Sequence, residues 1–273
     1  MVTVLSDNSG LPEVPSSALR LDIDGDALVS NWRALDALSG TARAGAAVKA
    51  NAYGLGARSI VPLLREAGCR DFFVAHWREA ADLLDLIDPS SLAVLHGPLT
   101  DADAAFAQAT GLVPVINSLA QARRWIAAGG GRCHLMVDTG MNRLGVTLAA
   151  LGDDAVQVLE IDALLSHLVA AEEETPLNAL QCARWNAARR QVRHARASLA
   201  NSGGIALGAD YHGDLTRPGI ALYGGVPRGE MAAMLRQVVR PQAAVLQVRE
   251  IAAGESLGYN ATFVAPQAMR VGT

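Results

Sequence analysis

The sequence predicts an α/β fold, a closed parallel (β/α)8 barrel of the TIM type followed by the beginning of a C-terminal β domain. Eight short apolar runs carry this reading, at 46–50, 72–76, 92–97, 112–117, 134–138, 161–167, 197–202 and 215–222. Amphipathic stretches separate them, and short buried strands alternating with helices are the pattern of a parallel barrel. A doubly wound open sheet shares the alternation, but eight strands in one unbroken series favour closure. Beyond Val239 the texture changes, as AAVLQVREI gives way to GESLGYNATF without a helical period, which reads as a separate β-rich part.

The intervening helices are expected at 57–67, 77–86, 101–108, 119–128, 148–158 and 177–190, with a weak one before Tyr211. Asn117 or Ser118 can cap the helix at 119–128, and Thr100 or Asp101 the one at 101–108, because their side-chain oxygens accept free N–H groups of a first turn. The expected organisation is an N-terminal segment at 1–20 associated with the β part, a barrel at 21–235 and an incomplete β domain at 236–273.

A chain of 273 residues can bury a large core, and 51% hydrophobic content with only 4% aromatic suits the Ala, Val, Leu and Ile interior of α/β packing. The 23 basic and 27 acidic residues leave a net −4, no field for general nucleic-acid or anionic-membrane binding. The start MVTVLSDNSG lacks a basic-then-apolar leader, and no apolar run reaches the roughly 18 residues of a membrane span. Cys69, Cys133 and Cys182 are too far apart in sequence for a metal pair or redox dithiol. A reducing, cytoplasmic setting is expected.

In such a barrel the chemistry gathers where strands end. Polar residues stand there: Lys49, His76, His96, Asn117, Asp138 with Arg143 beyond it, His167, Asn201 with Ser202, and Arg217. Lys49 lies in AVKANAYGLG, where burial of part of its stem disfavours the charged amine and makes the neutral nucleophile easier to reach. Such an amine can form a Schiff base with an aldehyde; taken alone, a lysine snorkelling from a strand end into water is the commoner case. NSGG at 201–204 and RPGI at 217–220 follow the seventh and eighth runs, where barrels often bind phosphate through glycine-exposed N–H groups. An aldehyde cofactor carrying a phosphate meets both conditions, and pyridoxal 5'-phosphate is one.

The motifs AVKANAYGLG, VDTGMNRLGV, SHLVAAEEE, ANSGG, TRPGIALYGG and GESLGYNATF, in this order and with LRLDIDGDALVSNWRAL near the start, resemble those of the alanine racemase family over nearly the whole chain. The resemblance implies a pyridoxal-phosphate barrel that interconverts L- and D-alanine for peptidoglycan supply. It implies that Lys49 is both Schiff-base lysine and catalytic acid/base. Tyr259, from the partner subunit of a homodimer, is then the second base on the opposite face; inversion needs a proton taken from one face and returned to the other. Arg217 corresponds to the arginine facing the pyridine nitrogen, and His167 to a histidine contacting the cofactor on the Arg217 side. Arg143 corresponds to the arginine that orients the tyrosine and holds the substrate carboxylate. Tyr53, Ser202, Gly219 and Ile220 fall on phosphate-contacting positions, and Asn201 joins them in NSGG. His76 and His96 gain no role, and Glu172 to Glu174 read as a solvated acidic run.

Three departures stand out. Leu55 occupies a common histidine position. Met136 replaces a lysine, often carbamylated, that pairs with the arginine at Arg143, so a bound anion or another side chain must compensate. The sequence stops at Thr273 inside the expected β domain, before the family's substrate-oxyanion and further phosphate contacts, so impaired activity is expected. Two alternatives stay open: a broad-specificity or serine racemase of the same fold, and a non-catalytic barrel that binds pyridoxal phosphate.

Overall fold

The structure, a computed structural model, describes residues 17–273. Two compact units result, Ile23–Val239 and, of the described residues, 17–22 with Arg240–Thr273. Residues 1–16 of the expected N-terminal segment lie outside the described residues.

The larger unit is the barrel. Its first strand is Arg43–Ala44 with Ala46–Ala47, followed by Phe72–Val74, Leu92–Val94, Val113–Ile116, Arg132–Asp138, Glu160–Leu165, Arg196–Ser198 and Leu215–Thr216. Neighbouring strands pair in parallel from the first to the seventh, and the eighth pairs with Arg43–Ala44. Closure shows in the first strand's N–H groups. Those of Arg43, Gly45 and Ala47 donate to Asp214, Thr216 and Pro218, whereas those of Ala46 and Val48 donate to Asp71 and Phe73. Gly45 sits where the strand serves both neighbours, and a Cβ there would stand 2.7 Å from the Asp71 carbonyl oxygen. Across the remaining seam, Asp214 N–H reaches Ala197 O at 2.8 Å and Arg217 N–H reaches Ala200 O at 2.9 Å.

Alternation along the strands divides the core into two layers. Phe73, Ala93, Val113, Val115, Met136, Ala163, Leu165 and Leu215 pack inside the barrel. Their neighbours Phe72, Leu92 and Val94 face the helices instead.

The helices depart from expectation in three places. The segment at 77–86 is helical only over Trp77–Ala81 and continues as turns. The segment at 148–158 splits into the short turn Leu148–Ala150 and Asp154–Gln157, interrupted at Gly152 where helix propensity fails. A helix absent from the expected set, Gly25–Leu38, precedes the first strand, capped by Asp24 Oδ1 on Ala27 N–H at 2.9 Å. Its buried Ala27, Leu28, Asn31, Trp32 and Leu35 form one face. Asn31 Nδ2 donates to Leu222 O and Arg236 O, so this helix covers the segment that follows the eighth strand.

In the smaller unit, Val248–Ile251 pairs antiparallel with Met269–Gly272, and Ser256–Leu257 with Phe263–Val264. The second hairpin carries the Tyr259–Ala261 turn at its tip, with Tyr259 97% exposed. Among the described residues, no helix is long and apolar enough to cross a membrane.

Candidate active site

A cavity of about 210 Å³ opens at the C-terminal ends of the strands. Of the expected site residues, Lys49, Tyr53, Arg143, His167, Asn201, Ser202, Arg217, Gly219 and Ile220 line it together. Tyr259 belongs to the other unit. His76 and His96 are not among the lining residues; their rings lie 6.2 Å apart. Asn117 is buried and donates to Leu95 O and Val115 O, a structural role, and Asp138 organises a turn.

Lys49 is the only lysine in the sequence. It is half-buried, and Ala50, Asn51, Ala52 and Tyr53 after it all have left-handed φ between 52° and 56°. Each such residue costs about 1–2 kcal/mol for an L-amino acid, so this turn stores strain beside the amine. Hydrogen bonds support it: Ala52 N–H to Val48 O, Gly54 N–H to Ala50 O, and Ala57 N–H to Asn51 Oδ1, each at 2.8 Å. Burial holds the Lys49 amine below the usual lysine range, reinforced by Arg143 and Arg217 and opposed by Glu79.

Arg217 is buried, and its guanidinium donates to Ser198 O at 2.9 Å, to Ser198 Oγ, to Ser166 O and to Leu199 O. Burial pushes it down to about 10, so it remains cationic at neutral pH. His167 is pushed down to about 3 by burial and by the positive charges of Arg217, Arg143 and Lys49, and stands neutral.

Three features shape the far side. Ser202 Oγ accepts from Gly219 N–H at 2.9 Å and Ala221 N–H at 3.2 Å, and Asn201 Oδ1 caps Gly204 N–H at 2.8 Å. A Cβ on Gly219 would stand 2.3 Å from the Tyr53 hydroxyl, so the glycine keeps that hydroxyl against the backbone. The Tyr53 and Tyr223 rings lie 5.0 Å apart, and Tyr223 Oη donates to Ala47 O.

Arg143 emerges from a turn built on one carboxylate. Asp138 Oδ1 accepts from Gly140, Met141 and Asn142 N–H at 2.9, 2.9 and 3.1 Å. Met136 is buried in the barrel's apolar interior and lines the cavity, and no ion pair forms to Arg143 among the described residues. Leu55 packs against the apolar core. Glu172, read from sequence as part of a solvated run, is exposed yet is the one acidic residue lining the cavity. Sequence reasoning also missed Phe73, Leu95, Met141 and Leu144 as lining residues, and Glu79 beneath Lys49; the strand alternation could have found Phe73 and Leu95.

Fold and cavity define a class, the (β/α)8 barrel enzymes with a cationic site at the C-terminal strand ends. A profile of the alanine racemase N-terminal domain matches residues 23–227. The alanine racemase of Rhodospirillum rubrum is 45% identical over 279 residues, spanning 93% of this chain and 71% of that protein. That of Rhizobium meliloti is 42% identical over 261 residues, spanning 92% and 69%. The crystal structure of alanine racemase from Bartonella henselae, with covalently bound pyridoxal phosphate, matches with a TM-score of 0.86 at 36% identity, covering 94% of this chain and 75% of that one. The biosynthetic alanine racemase of Pseudomonas aeruginosa matches with a TM-score of 0.84 at 32% identity, covering 93% and 74%. The chain belongs to the alanine racemase family of isomerases.

Proposed function

We propose that this chain interconverts L- and D-alanine with pyridoxal 5'-phosphate, by two bases, Lys49 and Tyr259 of the partner subunit in a homodimer. The observation that carries the reading is that the sequence's only lysine shares one cavity with Arg143, His167 and Arg217. The residues fit the cofactor. A half-buried amine with a lowered proton affinity suits an aldehyde carbon, and two arginines against one lining carboxylate suit an anionic cofactor and a substrate carboxylate.

Lys49 would hold the cofactor through Nζ. Tyr53, Asn201, Ser202, Gly219 and Ile220 would hold the phosphate, with Gly219 and Ile220 acting through their backbones. Arg217 would face the ring nitrogen, His167 would flank it, and Arg143 would take the substrate carboxylate. When bound, the cofactor supplies an electron sink that acidifies the substrate's α-proton. Arg217 retains its own protons, so it offers none to a ring nitrogen. Lys49 Nζ moves the proton on one face and the Tyr259 hydroxyl on the other. The D-alanine made in this way supplies peptidoglycan precursors, in the cytoplasm.

Racemisation rates on alanine, serine and lysine test the reading. Alanine turnover is expected to dominate, and Lys49→Ala to reduce it by more than about 10³-fold. Faster turnover of serine or lysine would replace the substrate assignment with the broad-specificity alternative; cofactor binding without inversion of any amino acid would sink the mechanism. Co-expressed Lys49→Ala and Tyr259→Phe chains should regain activity that neither has alone if the tyrosine acts between subunits.

A further inference from the structure

Glu79 lies outside the cavity lining, yet its carboxylate joins two strand ends beneath Lys49. Oε1 accepts from Ala50 N–H at 2.6 Å, and Oε2 accepts from Ala75 N–H at 2.7 Å and from His76 N–H at 3.4 Å. Ala50 is the first residue of the left-handed turn after Lys49; Ala75 and His76 follow the second barrel strand. The ordinary reading of Glu79 is a capping glutamate, three residues into the helix that begins at Trp77. Distances decide against capping as its whole role. The capping bond to His76 N–H is the longest of the three, and the two short bonds run to Ala75 and, across to the neighbouring strand, Ala50.

We propose that Glu79 is a positioning residue for Lys49: by tying Ala50 to the end of the second strand, it holds the strained turn that aims the lysine amine into the cavity. Only a carboxylate serves. Three N–H donors face its two oxygens, so a glutamine must turn its NH₂ toward one side and meet a donor with a donor. An aspartate is one methylene too short to span both strands. The charge has a second effect. The side chain is only 15% exposed and lies beside His76, and its negative charge favours the Lys49 ammonium while Arg143 and Arg217 disfavour it.

The proposal rests on Lys49 being the cofactor lysine, and the experiment separates the two. Because Lys49 is the only lysine, an amine-acylating reagent reports its reactivity in one peptide, distinct from the N-terminal amine, without cofactor present. In Glu79→Gln the pH midpoint of that labelling should fall, because an anion favouring the ammonium is gone. The loaded variant should release pyridoxal phosphate faster on dialysis and lose about 10²-fold in kcat, the effect of displacing a reacting group by about 1 Å, with KM little changed. General destabilisation would lower the melting temperature without moving the labelling midpoint. Should Glu79→Gln not fold, Glu79→Gln/Ala50→Gly carries the same readouts, since glycine accepts the left-handed φ without strain. Wild-type midpoint, cofactor retention and kcat in a folded variant would overturn the proposal. A wild-type chain that takes up no cofactor while the midpoint still shifts would instead overturn the cofactor role of Lys49 and leave Glu79's action on it standing.

Discussion

At the N-terminal ends of the barrel strands, Asp162 accepts from Arg132 at 2.7 Å and from Arg196 at 2.8 Å, and Arg196 also reaches Asp71 at 2.9 Å. At the C-terminal ends, Lys49, Arg143 and Arg217 form no ion pair among the described residues. The same strands therefore close one end with charges that satisfy one another and leave the other end with cations held by carbonyls, burial and a strained turn. The first arrangement yields stability. The second leaves charge available to a ligand, at a cost in local backbone energy that the surrounding hydrogen bonds offset.

The sharpest way to break this division is to disturb the open end without touching a charge. Gly219→Ala places a Cβ 2.3 Å from the Tyr53 hydroxyl, and the half-exposed ring must swing away. If Tyr53 holds the phosphate as proposed, losing that hydrogen bond to a charged group costs about 1.5–3 kcal/mol, so pyridoxal phosphate should bind roughly ten- to a hundredfold more weakly, read by spectroscopic titration. Melting temperature should change little, because the displaced ring moves toward solvent.

The opposite intervention is Asp162→Asn. It leaves Arg196 with Asp71 alone and removes the Arg132 carboxylate. Breaking a fully buried pair costs about 3–5 kcal/mol; with Arg132 40% exposed we expect roughly 1–3 kcal/mol, measured by urea unfolding. The kcat for alanine should be unchanged, as the network lies at the far end from Lys49. A large loss of kcat would show that the two ends are coupled.

Much of this division was legible in the sequence. Eight apolar runs located all eight strands, because a parallel strand buried on both faces reads as a continuous apolar run. The polar residue ending each run pointed to the open end, and the family motifs sorted Lys49, Arg143, His167 and Arg217 from His76 and His96. Helix Gly25–Leu38 escaped because it precedes the first strand, where a βα alternation expects no helix. The left-handed turn escaped because Ala50, Asn51, Ala52 and Tyr53 carry no glycine to announce positive φ. Glu79 was invisible for a related reason: its partners are backbone N–H groups, which no side-chain pattern encodes. The closed-end network was likewise hidden, since Asp71, Arg132, Asp162 and Arg196 lie far apart in sequence and meet only when the barrel closes.

A last contrast separates the ends by pH. His134 is buried beside Asp162, Arg132 and Arg196, and its Nδ1 accepts from Ala163 N–H at 3.2 Å, which fixes it as neutral. Burial pushes it down to about 4, with Asp162 opposing and the two arginines assisting. The unfolded chain takes up this proton near pH 6.5, the folded one only near 4, so the unfolded state binds more protons between those values. Stability must then fall as pH drops from about 6.5 to 4, by at most about 1.4 kcal/mol per pH unit for this group. Asp162 acts in a lower window. Burial would raise its carboxyl, but Arg196, His134 and Arg132 outweigh that and hold it below the usual range, so its contribution is present above about 3.9 and is lost only as pH falls further. His134→Gln keeps an acceptor for Ala163 N–H and removes the titration. Urea unfolding between pH 7 and 4 should therefore show a shallower decline in this variant, with the remainder due to groups such as His167 at the open end. An unchanged slope would mean that the His134 proton is not excluded, and that the closed end tolerates a further positive charge.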